Sequence, residues 1–201
     1  MKKELLYIFQ KKKEEIRNKL ETFKNLSENQ IYNEFQFCLL TPQSNAQRCW
    51  QAVEQLSQLK KPTIQNVTEI LSRKTRFHHT KAKRILKAKE SFNKINPLLN
   101  NPNRFELRNQ IAERVNGFGL KEASHFLRNI GHSNNQIAIL DRHVLKNMHL
   151  NNIIEETKVK GGTKNYLEIE QKFLNFANSL KIQPDELDLF WWSQENGELF
   201  K

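Results

Sequence analysis

At 201 residues the chain is long enough for one compact unit or two small subdomains sharing a core. With 37% apolar and 27% charged residues it is expected to fold, and its apolar runs are far too short to span a bilayer as a helix. A formal charge of +11 favours a polyanionic partner through counterion release, and two cysteines are too few for a tetrahedral zinc site or a four-cysteine cluster.

The opening Met1-Lys2-Lys3-Glu4 leads into a charged amphipathic run rather than an apolar signal segment, so a cytoplasmic protein is expected. Apolar residues recur at three- and four-residue intervals, as in Leu5, Ile8, Phe9, Ile16, Leu20 and Phe23, without strand-type alternation. The chain therefore reads as all-α, cut into about nine helices. Ser27 to Gln30 has the form of a capping box for a helix carrying Ile31, Phe35 and Cys38. Thr41-Pro42 reads as the cap of the next helix, with proline at its first position, burying Ala46, Cys49, Val53 and Leu56. A short helix over 67–72 and a longer one over 79–95 follow, the latter ended by Asn96-Pro97. Asn103 with Glu106 opens a helix running to Val115, and Gly131 is the expected stop of the helix over 120–130. Helices near 141–149, 164–180 and 184–195 complete the set, with a flexible loop at Lys160-Gly161-Gly162-Thr163. Cys38 and Cys49 fall in apolar helical surroundings and suit reduced, buried thiols. His78-His79 lacks the neighbours to complete a ligand set, so no metal is expected in the chemistry.

Between two of these helices lies Val115-Asn116-Gly117-Phe118-Gly119-Leu120-Lys121, and twenty residues after Lys121 comes Asp141. Two glycines one residue apart let the backbone turn sharply and present N–H groups to a phosphate. Alone, Gly-x-Gly is more often the mark of an ordinary tight connection. With Lys121, Asp141 and His143 it resembles the helix-hairpin-helix DNA glycosylase superfamily in order and spacing. The closer resemblance is to the compact archaeal-type 8-oxoguanine DNA glycosylase/AP lyase branch. It rests on Phe37-Cys38-Leu39-Leu40-Thr41-Pro42-Gln43-Ser44, Arg76-Phe77-His78-His79-Thr80-Lys81-Ala82, Lys121-Glu122-Ala123-Ser124-His125-Phe126-Leu127-Arg128-Asn129 and Phe190-Trp191-Trp192 with Lys201.

That resemblance implies a single glycosylase unit of two helical subdomains flanking a DNA- and base-binding cleft, one about 1–35 plus 135–201, the other about 36–134, with the hairpin at 115–121. It implies a monomeric base-excision repair enzyme, nucleoid-associated in a prokaryote. Its partner would be duplex DNA containing 8-oxoguanine or abasic sites, and extrusion of the base is needed because the reacting sugar carbon is inaccessible in an intact stack. The hairpin, Asn116, Gly117, Phe118 and Gly119, would grip backbone phosphates, in this family often through a bound monovalent cation, with no iron-sulfur cluster.

Lys121 would be the nucleophile. An amine attacks C1′ only when neutral, and an ordinary lysine is neutral at pH 7 in about one molecule in a few thousand. Its place in the first turn of a helix helps through the macrodipole, whereas bound phosphate opposes, and the alternative is a lysine that simply holds phosphate. Asp141, after four apolar residues, would stabilise charge at the sugar while also serving as an N-cap. A Schiff base makes the C2′ proton acidic enough for strand cleavage. His143 matches a phosphate contact, Phe77 an apolar wedge entering the emptied stack, and Gln43 a polar group near the opposite base. Trp192 matches the aromatic that stacks on the extruded base, and Lys201 the terminal residue whose carboxylate would accept N7–H of the lesion. Trp191 is equally a core residue. Two rivals remain at this stage: an endonuclease-III-like enzyme for oxidised pyrimidines, and a noncatalytic helix-hairpin-helix module that would not need the Lys121 and Asp141 pair.

Overall fold

The computed structural model describes residues 2–201, apart from the side chain of Asn196. Among the described residues there are eleven α-helices, one 3₁₀ turn and no strand. None of the helices is long and apolar enough to cross a membrane. Two compact units result, one combining the segment through Asn25 with Leu127–Lys201, the other Leu26–Phe126.

In the first unit, α1 (Lys2–Glu21) buries Phe9 and Ile16 and runs along α11 (Pro184–Asn196), where Phe9 meets Phe190 edge-on at 5.5 Å. Arg17 at 2.6 Å from Glu186 closes the same face. Helix α10 (Gly162–Ser179) completes the core by setting Phe173 and Phe176 against Trp191, which is buried. Each of these rings contributes about 1.5–3 kcal/mol through burial. Between α8 (Leu120–Asn129) and α9 (Arg142–Leu150) the strip Ile137 to Leu140 is buried without helical partners for its backbone. Side chains of α10 supply them: Ala138 N–H donates to Glu170 Oε1 at 2.8 Å, and the Tyr166 hydroxyl donates to Ala138 O at 2.7 Å. That anchoring is what brings Asp141 to the head of α9.

In the second unit, α2 (Glu28–Leu40) is buried on every face from Glu34 to Leu40, and its last turn, Phe37 to Leu40, is apolar all round. Phe35 sits amid Phe92, Phe118 and Phe126, with centroids at 5.6, 5.2 and 5.7 Å. Around α2 pack α3 (Ala46–Ser57), α5 (His78–Leu86) and α6 (Ala88–Ile95), with α4 (Ile64–Ser72) against α5 and α7 (Arg104–Arg114) against α6. The 3₁₀ turn Asn96–Asn100 leads from α6 toward α7.

Several local signals act as read. Ser27 and Gln30 form the reciprocal capping box, Asn103 caps α7 through Glu106 N–H, and Cys38 and Cys49 are free, buried thiols. Gly131, at φ 71°, ends α8 with His132 N–H on Leu127 O and its own N–H on Arg128 O, the paired bonds of a Schellman motif. Three expectations change. Thr41 closes α2 instead of opening α3: its N–H bonds Phe37 O and its hydroxyl bonds Cys38 O, so Asn45 caps α3. The helix read over 79–95 breaks at Lys87, at φ −95° and ψ 0°, into one helix that buries Ala82 and Ile85 and a second that buries Ala88, Phe92 and Ile95. The 67–72 helix starts earlier, at Ile64, because Thr63 and Asn66 make a second capping box. Of these changes, the break at Lys87 adds a helix to the about nine read from the pattern, and the other two move boundaries.

Candidate active site

The hairpin is built by α7 running out at Val115. Phe118 N–H closes a turn on Val115 O at 3.0 Å, and Gly117 holds φ 104°, a conformation side chains rarely adopt. A Cβ there would stand 2.7 Å from Arg84 Cδ and Nε, so the α5 arginine lies flat on the glycine. Gly119 plays another part than the one expected. Its φ is not positive, and its N–H is not offered outward but donated to Glu122 Oε2 at 3.1 Å. Phe118 likewise turns its ring into the core against Phe35, leaving its backbone on the turn. Within Asn116–Gly119 the amides without a bonded acceptor are those of Asn116 and Gly117.

Lys121 is the second residue of α8, in the turn where the helix presents positive potential. Its side chain is 26% exposed, and its Nζ lies 3.5 Å from Glu122 Oε1. Glu122 therefore has both oxygens engaged, one toward the hairpin and one toward the amine, a link the sequence reading did not single out. The signal for it was the acidic residue three positions after Gly119. Burial raises the Cys49 thiol to about 11, so it stays protonated, although Lys81 and Lys121 both face it with positive charge.

Gln43 and Phe77 occupy the tips of two loops, Gln43 in the α2–α3 turn and Phe77 at the head of α5. Both have left-handed backbones, at φ 55° and 56°. The Phe77 ring is 57% exposed, which a core role would not leave, and the Arg76 guanidinium stands 5.5 Å from its centroid.

In the first unit, Asp141 is the N-cap of α9, and a single oxygen, Oδ1, accepts from His143 N–H and Val144 N–H at 2.8 Å each. Oδ2 is thereby left for other work. His143 accepts at Nε2 from Arg142 Nε at 3.1 Å and has Nδ1 4.0 Å from Glu195 Oε2. Glu195 is held below the usual carboxylate range by its bond to Lys146. Trp192 stands edge-on to His143 at 6.5 Å and tilted against Phe200 at 6.1 Å, beside the half-buried Lys201. Trp191, by contrast, is core. In each unit, then, the residues singled out from the sequence fall into a local group, one around the hairpin and the two loops, the other around the head of α9 and the end of α11.

Comparison with known proteins agrees in family, sequence and shape. A family model described as Ogg-HhH, 8-oxoguanine DNA glycosylase, matches residues 12–182. The 8-oxoguanine DNA glycosylase/AP lyase of Fusobacterium nucleatum is 36% identical, the alignment covering 98% of this chain and 96% of that protein. The crystal structure of the 8-oxoguanine DNA glycosylase of Thermotoga maritima superposes with a TM-score of 0.87 at 29% identity, covering all of both chains. That of the Methanocaldococcus jannaschii 8-oxoguanine glycosylase/lyase with a 15mer DNA containing 8-oxoguanine gives 0.85 at 28% identity, covering 98% of this chain and 99% of that one.

Proposed function

The chain belongs to the 8-oxoguanine DNA glycosylase family, and from that membership we propose a division of labour among its residues in excising 8-oxoguanine and nicking the strand. The observation that carries it is Lys121, placed on the first turn of a helix directly behind a glycine hairpin, within a family match covering most of the chain.

The amides of Asn116 and Gly117, with Phe118 and Gly119 holding the turn, take a backbone phosphate. Phe77 fills the stack vacated by the extruded base, Gln43 meets the opposite base, and His143 contacts a phosphate near the lesion. Trp192 stacks on the flipped base and Lys201 lines its pocket, where an acceptor aimed at N7–H rewards the lesion. Undamaged guanine would set two acceptors against each other there, a cost of roughly 1–3 kcal/mol.

The Nζ lone pair of Lys121 forms a bond to C1′ while the C1′–N9 bond breaks and the base leaves with that electron pair and a proton. Glu122 Oε1, 3.5 Å from Nζ in the resting structure, is the carboxylate closest to the proton that the amine must shed. Asp141 Oδ2 opposes the positive charge that develops at the sugar. Loss of the ring oxygen's bond to C1′ gives the iminium, which acidifies the C2′ proton. Its removal expels the 3′ phosphate and cuts the strand. An activated water would release the base without forming that iminium.

Borohydride reduction tests the assignment, because it fixes the iminium as a stable amine. Wild-type protein should be trapped on duplex containing 8-oxoguanine or an abasic site, and Lys121→Gln should bind the same duplex without becoming trapped. Trapping with thymine glycol duplex alone would transfer the activity to oxidised pyrimidines. An undiminished adduct in Lys121→Gln would remove Lys121 from the chemistry.

A further inference from the structure

Lys81 is 1% exposed although it belongs to a run of basic residues that reads as surface. All three of its ammonium protons are spent within the second unit: on Leu40 O at 2.7 Å, Pro42 O at 2.8 Å and Ser44 Oγ at 2.8 Å. These acceptors bracket Gln43. The Ser44 hydroxyl oxygen also accepts Arg76 N–H at 2.9 Å, which ties the same turn to the residue before Phe77. Lys81 N–H, in turn, is the first helical donor to Phe77 O, at 3.0 Å. Among the described residues of this unit, Gln43 and Phe77 are the two non-glycine residues with positive φ. Neither backbone conformation is one its residue prefers, so the surroundings must hold it there. One residue thus reaches both, its ammonium holding the turn around the first and its backbone N–H bonding the carbonyl of the second.

We propose that Lys81 is a positioning residue that locks the Gln43 and Phe77 loops in register with each other, so that the gap-filling and wedge side chains enter the duplex as one unit. The proposal rests on the glycosylase reading above. It differs from a purely structural tie because both loop tips are exposed and contribute little to the core, while their relative placement decides whether a base can be replaced in the stack. Burial lowers the Lys81 ammonium to about 8, with the positive charges of Arg84, Arg76 and Lys121 acting in the same direction. Above that pH the amine keeps two protons for three acceptors, and the tie slackens.

The test compares two rates for each protein: excision from duplex containing 8-oxoguanine, and borohydride trapping on a single-stranded abasic oligonucleotide, which has no stack to fill. Their ratio cancels active fraction and any effect of the altered charge on Lys121. Lys81→Met should lower the ratio at least tenfold, and Ser44→Ala should lower it in the same direction by less. In a Phe77→Ala, Gln43→Ala background Lys81→Met should change it no further, since the residues it holds are gone. The wild-type ratio should fall between pH 7 and 9.5, and the Lys81→Met ratio should stay level. An unchanged ratio in both single variants, or an undiminished effect of Lys81→Met in the double background, overturns the proposal. Should Lys81→Met not fold, Ser44→Ala decides alone. Failure of wild-type protein to be trapped on either substrate would instead overturn the glycosylase reading itself.

Discussion

Replacing Asp141 by asparagine and by alanine separates two duties that one side chain performs. Oδ1 accepts two amide protons at 2.8 Å and so caps α9, while Oδ2 takes no part in the cap. Alanine removes both bonds, a loss of about 0.5–2 kcal/mol for a cap of this type. Asparagine keeps an oxygen in the Oδ1 position and loses only the charge near the helix N-terminus, about 0.3–1 kcal/mol. Urea unfolding should therefore rank wild type above Asp141→Asn and Asp141→Ala lowest, with the asparagine variant nearer to wild type. Excision should not follow that ranking. A neutral amide cannot oppose oxocarbenium-like charge, and loss of one such electrostatic contribution slows reactions by about 10²–10³. Single-turnover excision of 8-oxoguanine should thus fall about equally in both variants. Asp141→Asn cutting at the wild-type rate would show that the carboxylate is a cap and nothing more.

The hairpin glycines should respond unequally. Gly117→Ala forces a side chain into φ 104° and against Arg84, costing about 1–3 kcal/mol and weakening duplex binding, whereas Gly119→Ala meets only the end of the Glu122 side chain at 3.3 Å. Fluorescence anisotropy on undamaged duplex at several salt concentrations would check this: the contact is made by neutral amides, so affinity should fall while the salt slope stays nearly unchanged. Phe77→Ala should change the free energy of urea unfolding by no more than about 0.5 kcal/mol, its ring being mostly in solvent, yet slow excision from duplex. The Lys81 ammonium, lowered from 10.5 to about 8, gives up its proton in the folded protein before it does so in the unfolded chain. Between those pH values the unfolded state binds more protons, so the contribution of Lys81 to stability rises with pH by roughly 3 kcal/mol at most. Urea midpoints at pH 7.5 and 10 should show that rise in wild type relative to Lys81→Met, and parallel curves for the two proteins would refute it.

Much of the fold was written in short stretches of chain. The Ser27 and Asn103 caps, the Gly131 stop and the apolar run around Phe35 act through residues within a turn or two, so the pattern alone specified them. The succession of Gly117, Lys121 and Asp141 likewise pointed to the chemistry, because nucleophile and carboxylate lie beside features readable in one dimension. What the pattern could not supply was decided by contacts between distant segments. Thr41-Pro42 has the composition of a helix start, yet the turn that follows is held by an ammonium about forty residues away in the chain. The burial of Lys81 could not be read along the chain, because it depends on acceptors supplied by the end of another helix. The engaged Gly119 amide was hidden for the same reason. Helix periodicity and capping are local free energies and can be read in order along the chain. The satisfaction of a buried charge and the holding of a strained backbone are settled only when separate segments meet.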